Sequence, residues 1–359
     1  MSEYWKCRDK SRNRPEVPSQ GKGKMKGEMK RLYLITGAAG HLAGAVIRKL
    51  RQKGCFMRGL VLPGEEGKDD RYISYFRGDV TRPETLDAFF SCPDGVQIVV
   101  LHLAALISLQ EKVSPRLWDV NVNGTHNIIE KCRQYGVARL VYVSSVHAIA
   151  QTSAGAVISE TDRFCPQEVE GAYAATKAQA TRMVLDAGRN GLDVVVLHPS
   201  GITGPGDRGR NHLVQLALMY LQRKLPMGVR GGYDMVDVRD VADGIIAAVD
   251  RGRSGECYLL SNRYVSIPEI LENLRLATCR RIRKYCCPLW FAALVAPLAE
   301  AWAKITGTRA LFTRFSIRTL GTNRRFCHDK ATRELGFRPR DIRETINDTV
   351  RYLLGCFCI

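Results

Sequence analysis

A serine pair and a tyrosine–lysine pair are the residues whose types and spacing best support chemistry. The fifth apolar run of the chain ends in Ser144-Ser145, and Tyr173 and Lys177 follow in an apparent helix. Side chains at i and i+4 share a helix face, so the lysine ammonium is expected near the phenol and is expected to lower its pKa from about 10. Tyr173 is therefore predicted to exchange a proton with a substrate oxygen while hydride moves to or from a nicotinamide, and Ser145 is predicted to hydrogen-bond that oxygen.

A glycine cluster at 37–44 predicts where the dinucleotide binds. Four apolar residues form a short strand that ends at Thr36-Gly37, and a helix follows within the spacing G-x-x-G-x-x-A. Gly37 allows a tight turn, Gly40 lets the backbone approach a pyrophosphate, and Ala43 is small enough for the helix to pack on the strand. The helix N-terminus offers unpaired N–H groups and a positive dipole end to phosphates.

The elements that must position these residues alternate regularly from residue 31. Short apolar runs predict strands at 32–35, 56–62, 73–76, 98–103, 140–144 and 194–197, and amphipathic patterns between them predict helices at 42–51, 82–90, 116–135 and 171–188. Apolar strands alternating with helices indicate a doubly wound α/β domain, with a parallel sheet covered on both faces. Segments 235–238 and 257–260 are predicted to return to the main sheet.

Three strand ends bear on cofactor choice and contact. The second strand is followed by Glu65 and Glu66, which fit neither the acidic pattern of NAD enzymes nor the basic pattern of NADP enzymes cleanly, so both cofactors stay open. Asp79 either meets an adenine amino group or caps the helix that starts near residue 83. His102 is predicted to be a packed strand residue, and the small residues after it allow a flat ligand to lie against the backbone.

Taken together, the motifs resemble those of the extended short-chain dehydrogenase/reductases of the NAD-dependent epimerase/dehydratase superfamily, across residues 31–355. The resemblance implies a Rossmann domain over 31–203, to which 232–262 returns, and a smaller substrate-binding lobe formed by 204–231 and 263–359. It implies a Ser145, Tyr173 and Lys177 triad, with Lys177 also holding ribose hydroxyls. By the same resemblance the cofactor contacts are Gly37, Gly40, His41, Leu42, Ala43, Asp79, Val80, Leu103, Ala104, Ala105, Tyr173, Lys177, Pro199, Ser200, Gly201 and Ile202.

Two departures from that pattern concern the substrate. Relatives that act on sugar nucleotides commonly carry Asn or Arg where this chain has His198, and an arginine where our register places Tyr233, although Arg230 is near. The run from His198 resembles dihydroflavonol reductases and 3β-hydroxysteroid dehydrogenases more closely.

The sequence thus favours an NAD(P)-dependent oxidoreductase that interconverts a secondary alcohol and a ketone on a fairly apolar, steroid- or flavonoid-like substrate. The alternatives are a nucleotide-sugar 4-epimerase or dehydratase and a non-catalytic dinucleotide-sensing regulator. Asp240 is predicted to cap a helix.

The net charge and the spacing of the cysteines indicate which binding partners and which cellular compartment to expect. The net charge is +18, of which residues 1–31 carry +6 and residues 280–359 carry +10, so the remainder is nearly neutral. There is no recognised nucleic-acid motif, and the basic ends favour solubility or weak attraction to anionic surfaces. The 12 cysteines lack the spacing of a metal site or a disulfide framework, which predicts reduced thiols, no bound metal and a cytoplasmic location.

The two ends of the chain carry further expectations. Residues 1–30 are predicted to be a disordered basic tail, and residues 329–353 two ordinary helices. The apolar stretch 286–299 is too short to span a bilayer; a buried lobe helix is favoured over a membrane-surface contact or an apolar substrate wall. The resemblance also implies a homodimer, but no feature of the sequence marks its interface.

Overall fold

The computed structural model describes residues 31–108, 111–151, 156–207, 211–225, 227–278, 285–306, 317, 320–321 and 325–357. The predicted tail lies outside these residues. The strands are β1 (Arg31–Thr36), β2 (Phe56–Val61), β3 (Ile73–Arg77), β4 (Gln97–His102), β5 (Arg139–Val143), β6 (Val157–Ile158), β7 (Val194–Pro199), β8 (Gly201–Thr203), β9 (Gly228–Val229), β10 (Gly232–Asp237), β11 (Glu256–Leu260), β12 (Arg263–Ser266), β13 (Cys286–Cys287) and β14 (Arg325–Phe326).

The longer helices cover the central sheet and the C-terminal part. They are α1 (His41–Gln52), α2 (Asp87–Phe90), α3 (Pro115–Trp118), α4 (Gly124–Gln134), α5 (Ala172–Arg189), α6 (His212–Leu221), α7 (Val238–Arg251), α8 (Ile267–Thr278) and α9 (Leu289–Thr306), followed by the helices Asp329–Leu335 and Ile342–Phe357. The last two were predicted. Short turns of 3₁₀ helix lie at Pro83–Thr85 and Val146–Ala148, and a π turn at Asp119–Asn123 joins α3 to α4.

Seven parallel strands form the central sheet, in the order β11-β7-β5-β4-β1-β2-β3. Successive residues of one strand serve opposite faces: Leu34 belongs to the core beneath α4 and α5, and Ile35 to the core beneath α1 and α7. Burial on both faces explains the continuous apolar runs of the sequence. The predicted doubly wound α/β fold is confirmed.

Two predicted helices differ in detail. The helix expected at 82–90 is a 3₁₀ turn followed by the short α2, because Thr85 turns its hydroxyl back to the Arg82 carbonyl (2.7 Å). The helix expected at 116–135 is present, but the π turn interrupts it at 119–123.

The C-terminal part has its own apolar cluster, built from α6, α8, α9 and the C-terminal helix. Segment 257–260 joins the central sheet beside β7, as predicted. Segment 235–238 returns to the region of the central sheet without joining it: Val236 and Val238 are buried in the core beneath α1 and α7. Residues 232–237 form β10, which pairs with β8 and β12 in a separate three-stranded sheet, and Val238 begins α7. The domain boundaries themselves stay a prediction.

The preference for a buried helix at 286–299 is also wrong over the described side chains. Cys286-Cys287 form β13, and α9 buries Ala292 and Ala296 while it leaves Trp290, Leu294 and Leu298 exposed. Within the described residues, no helix combines the length and the apolar character needed to cross a bilayer.

Candidate active site

The sheet reverses its winding between β1 and β4. From β1 the chain builds outward through β2 and β3, and from β4 it builds the other way through β5, β7 and β11. Helices leave from the carboxyl ends of the strands on both sides of this point, which opens a crevice there. The predicted glycine turn, the residues after His102, the serine pair and the run from Pro199 all lie at this edge of the sheet.

The glycine turn has the geometry that a pyrophosphate site requires. Gly37 has φ +65°, and a Cβ at this position would lie 2.9 Å from the Cα of Ala104. Gly40 is the N-cap of α1 and brings no capping side chain, and the first turn holds no acidic residue. The amide groups at His41, Leu42 and Ala43 therefore keep the free N–H character of a helix start.

A buried hydrogen-bond chain ties β1 to β4 at the crevice floor. Thr36 Oγ1 accepts from the amides of Leu103 and Ala104 (both 3.1 Å) and lies 2.8 Å from His102 Nδ1. His102 Nε2 lies 3.1 Å from Thr125 Oγ1, whose proton is given to the Asn121 carbonyl. Since Thr125 must then accept, His102 carries its proton on Nε2 and accepts from Thr36.

His102 is thus a packed strand residue, as predicted. Burial lowers the pKa of His102 to about 3, so the ring stays neutral. Leu103 and Ala104 are half-buried and Ala105 is exposed at the rim. Sequence reasoning missed Thr36, although a threonine at the very end of the first strand was the visible signal.

The structure brings Ser145, Tyr173 and Lys177 together. Ser145 follows β5, and Tyr173 and Lys177 occupy the first two turns of α5. The Ser145 side chain lies close enough to the Tyr173 phenol to lower its pKa. Lys177 is buried, donates from Nζ to the Val143 carbonyl (2.7 Å), and lies 4.4 Å from the centroid of the Tyr142 ring.

The two serines of the pair have different partners. Thr181 gives its proton to the Lys177 carbonyl (2.7 Å), so the Ser144 hydroxyl 2.7 Å away must donate to Thr181. This bond fastens α5 to the end of β5. Ser144 therefore positions the helix, whereas Ser145 faces the phenol.

The expected direction of the Tyr173 pKa is wrong in this arrangement. Burial raises the pKa of Tyr173 to about 12, and the Ser145 side chain opposes that rise only in part. Lys177 does not lower it, because its ammonium is directed at the Val143 carbonyl, and burial lowers the pKa of Lys177 itself to about 7.

Asn121 was missed by sequence reasoning. The π turn directs its buried side chain toward α5, where Nδ2 donates to Thr176 Oγ1 (3.0 Å). The same side chain accepts from the Leu106 amide (2.8 Å) and donates to the Leu106 carbonyl (2.9 Å). It therefore connects the loop after β4 to the residue beside Lys177. A polar residue inside an amphipathic helix was the signal.

The run from His198 lies beside Ser145. His198 Nδ1 donates to the Ser145 carbonyl (3.0 Å), and its ring stacks on Phe164 at 5.2 Å and 6°. Pro199 ends β7, the Ser200 amide donates to the Leu260 carbonyl (3.1 Å), and Gly201 and Ile202 enter β8. These four residues leave the sheet at the crevice edge, and their contact with a nicotinamide stays a prediction.

Asp79 forms a local turn after β3. Its Oδ1 accepts from the amide and the hydroxyl of Thr81 (both 2.9 Å). The N-cap of the following 3₁₀ turn is Arg82, so Asp79 does not cap it. Val80 is buried, and a Cβ on Gly124 would lie 2.7 Å from it.

Asp240 does not cap a helix, contrary to the prediction. The N-cap of α7 is Asp237, which accepts from the Arg239 amide (2.7 Å). Asp240 lies one turn further on, buried, and binds Arg340 through its amide (2.8 Å), Nε (2.9 Å) and guanidinium end (2.7 Å).

A cavity of about 640 Å³ lies away from the triad, between the end of α5, the edge strand β11 and the helix Asp329–Leu335. Glu256 on its wall is paired with Lys330 at 2.6 Å. It does not include the predicted site residues.

The residues at the crevice suit a dinucleotide, since a side chain at position 37 would fill the approach to Ala104 and the start of α1 is left uncapped. Residues 33–261 match the profile of the NAD dependent epimerase/dehydratase family. The chain belongs to this family. The predicted superfamily is confirmed, and so is a cofactor of the NAD or NADP type.

Curated relatives align with nearly the whole chain. A putative dihydroflavonol 4-reductase from Synechocystis sp. is 28% identical over 326 residues, covering 89% of this chain and 94% of the relative. Sterol demethylase protein B from Methylococcus capsulatus is 30% identical over 326 residues, covering 89% and 97%. Other relatives are named 3β-hydroxysteroid or sterol dehydrogenases, and with them the predicted NAD(P)-dependent dehydrogenase or reductase acting on CH–OH groups is confirmed.

Solved structures support the same fold. The crystal structure of gox2253 superposes with a TM-score of 0.76 at 27% identity, covering 91% of this chain and 98% of that one. The Thermus thermophilus UDP-glucose 4-epimerase in complex with NAD has a TM-score of 0.71 at 22% identity, covering 90% and 99%. At that identity the second likeness concerns the family's fold alone.

Proposed function

We propose that this chain interconverts a secondary alcohol and a ketone on a fairly apolar, steroid- or flavonoid-like substrate, with NAD or NADP. The observation that carries the proposal is that Ser145, directly after β5, lies beside Tyr173 at the start of α5, one helical turn from the buried Lys177. A serine hydroxyl beside a phenol is suited to hold and protonate one substrate oxygen. A protein that only sensed dinucleotides would have no need of it.

Different residues of the chain would hold different parts of the cofactor. Gly37, Gly40 and the start of α1 would hold the pyrophosphate, Asp79 and Val80 would lie by the adenine, and the stretches 103–105 and 199–202 would line the remainder. Lys177 would hold ribose hydroxyls. When bound in reduced form, the nicotinamide supplies a hydride to the carbonyl carbon.

Tyr173 supplies the proton in the reducing direction. Its pKa of about 12 keeps the phenol protonated at neutral pH, so Oη has a proton to give to the substrate oxygen as the alcohol forms. Ser145 donates a hydrogen bond to the same oxygen and orients it. In the oxidising direction the same atoms act in reverse, and Tyr173 takes the alcohol proton.

Two observations support an apolar substrate over a sugar nucleotide. One relative is named as a putative dihydroflavonol 4-reductase and another as sterol demethylase protein B. Where sugar-nucleotide enzymes carry an arginine, this chain has the half-buried Tyr233, and the nearby Arg230 is exposed. Burial raises the pKa of Tyr233 to about 12, so this position is neutral.

The test is oxidation of NADH and of NADPH by the purified protein with a panel of steroid and flavonoid ketones. Tyr173→Phe is expected to lower turnover by about a hundredfold or more, because a general acid contributes that much. Tyr72→Phe is the matched control, because Tyr72 directly precedes β3 and so lies at the edge of the sheet away from the crevice. This variant is expected to keep wild-type turnover. Full turnover in Tyr173→Phe would show that the assignment is wrong. Conversion of a UDP-sugar without net cofactor turnover would favour the 4-epimerase instead.

A cytoplasmic location and a homodimer complete the proposal. The described cysteines are all free thiols, which supports a reducing compartment. The homodimer rests on the family resemblance, and light scattering of the purified protein tests it.

A further inference from the structure

Helix α9 presents a continuous apolar face to solvent. Trp290 is 69% exposed, Leu294 69% and Leu298 72%, and they recur every four residues along the helix. Phe291 (39%) and Val295 (40%) lie beside them. We call these five residues the outer face of α9. Five large apolar side chains exposed together on one helix indicate a binding surface.

Within the part of the chain that the structure describes, α9 is packed through its other side. Leu289, Ala292 and Ala296 attach α9 to the apolar cluster of the C-terminal part. At 100° per residue these three lie on the side of the helix opposite the outer face. The helix is therefore docked through small residues, and its largest side chains point away from the protein.

The surroundings of the outer face extend its apolar character. Tyr285, just before α9, is 69% exposed, and Met227 is 38% exposed. Their segments are held together because β13 pairs with β9, and the Gly228 amide donates to the Tyr285 carbonyl (2.8 Å). Tryptophan and tyrosine next to aliphatic side chains are typical of the boundary between lipid headgroups and acyl chains.

The sequence on either side of this surface is basic. Arg223, Lys224 and Arg230 are exposed near the β9–β13 pair, and residues 211–231 contain no acidic residue. In the sequence, residues 276–325 hold ten lysines or arginines and a single acidic residue, Glu300. Basic segments before and after an exposed apolar helix face complement a negatively charged surface with an apolar interior.

We propose that the outer face of α9 rests on the surface of an anionic lipid bilayer, with its side chains among the headgroups and the upper acyl chains. The helix lies on the bilayer and does not cross it, because no described helix has the length and apolarity to span. A second copy of this chain would bring an equally basic surface to the contact, and like charges would oppose that pairing. This docking is independent of the substrate proposed above.

The experiment is flotation of the full chain with lipid vesicles. The wild-type protein is expected to float with phosphatidylcholine vesicles that contain about 30% phosphatidylserine, and to float less well without that lipid or in about 0.5 M salt. The triple variant Trp290→Ser, Leu294→Ser and Leu298→Ser is expected to bind about tenfold or more weakly, because it removes most of the buried apolar area. Phe56→Ser, 49% exposed on β2, is the matched control and is expected to bind as the wild type does.

Two results would overturn the proposal. The first is failure of the wild-type protein to float, or equal flotation of the wild type and the triple variant. The second is a change from dimer to monomer in the triple variant by light scattering, with no vesicle binding by either protein, which would assign the face to a second copy. The melting temperature of the triple variant is expected to be unchanged, because the three positions are exposed. A loss of vesicle binding can then not be attributed to unfolding.

Discussion

Among single residues, His198 acts on the proposed chemistry through the backbone of Ser145. A carbonyl oxygen can only accept, so the hydrogen bond between His198 Nδ1 and the Ser145 carbonyl requires the proton on Nδ1. Burial lowers the pKa of His198 to about 4, so the ring stays neutral above that pH and is no proton carrier in the working range. Its stacking on Phe164 fixes the ring plane. His198 is thus a positioning residue.

Replacing His198 by phenylalanine should lower kcat about tenfold. The ring can still stack on Phe164, but the Ser145 carbonyl loses its donor and the serine hydroxyl loses its placement. His198→Asn should recover most of the rate, because its amide nitrogen can stand close to where Nδ1 stood. Steady-state kinetics with both variants check this, with the KM for cofactor expected to be unchanged. A wild-type kcat in His198→Phe would mean that the stacked ring matters and its N–H does not.

The raised pKa of Tyr173 predicts opposite pH behaviour for the two directions of reaction. Reduction needs the protonated phenol, and with a pKa of about 12 it is fully protonated from pH 6 to 9, so kcat/KM for reduction should not fall with pH through this group. Oxidation needs the phenolate, whose fraction rises tenfold per pH unit below the pKa, so its kcat/KM should rise steadily. Profiles in both directions test this. An oxidation rate that levels off near pH 7 would show that the phenol has a much lower pKa during turnover.

At the scale of single residues, the sequence predicted which residues form the site better than it predicted what each side chain contacts. Ser145, Tyr173 and Lys177 were recognisable because their spacing is fixed by one strand end and one helix face. The Lys177 contact with Val143 was not, since it depends on how deeply α5 packs on β5. Asp237 and Asp240 both sit near the start of α7, and only coordinates distinguish the capping carboxylate from the one bound to Arg340.

At the scale of elements, the turn between β1 and α1 depends on one glycine for two reasons. Gly37→Ala puts a side chain at φ +65°, which costs about 1–2 kcal/mol, and also drives a Cβ to 2.9 Å from the Ala104 backbone. Gly54→Ala is the matched control, because φ is +70° there and nothing lies within 4 Å of the added Cβ. Both variants should lose stability in urea unfolding, Gly37→Ala the more because of its added contact with Ala104, but only Gly37→Ala should lose cofactor affinity. Unchanged affinity in Gly37→Ala would contradict the placement of the pyrophosphate.

The link between α7 and the C-terminal segment depends on a buried ion pair. The Asp240 side chain is 6% exposed and the Arg340 side chain 22% exposed. Arg340→Met should lower the free energy of unfolding by about 3 kcal/mol, because it leaves a buried carboxylate without its partner. Arg351→Met is the control: that side chain is 81% exposed, 3.6 Å from Asp348, and should change stability by less than about 1 kcal/mol. Urea denaturation measures both, and equal small losses would mean that Asp240 finds another partner or a proton.

The elements themselves followed largely from the sequence. Each predicted strand of the central sheet is present, because burial on both faces leaves an uninterrupted apolar run that few other structures produce. The π turn at 119–123 did not follow, since an extra residue in one turn leaves the surrounding apolar spacing nearly unchanged. Neither did the pairing of β10 with β8, which is set by contacts between residues more than thirty positions apart.

At the scale of the whole molecule, the composition shows that both ends of the chain are basic, but it does not predict which side of α9 faces solvent. An apolar stretch of that length reads as a buried helix whenever the rest of the chain is long enough to cover it. The small Ala292 and Ala296 on the docked side were the available signal, because they leave the large side chains to the other side. Which side faces the protein depended on packing against α6, α8 and the C-terminal helix.

The crevice joins both halves of the central sheet, so a bound cofactor should stabilise the molecule as a unit. It is bordered by β1 and the turn after it on one side and by β4, β5 and β7 on the other. A ligand that binds only the folded state at about a hundred times its Kd adds about 2.7 kcal/mol to the free energy of unfolding, or roughly 4 °C in Tm for a chain of this size. Thermal unfolding with NADH and with NADPH at equal concentration should give the larger shift for the preferred cofactor, which the acidic residues after β2 leave undecided. Gly54→Ala should keep the shift and Gly37→Ala should lose it. If neither nucleotide moves the wild-type Tm, the crevice does not hold a dinucleotide, and the assignment of the glycine turn fails with it.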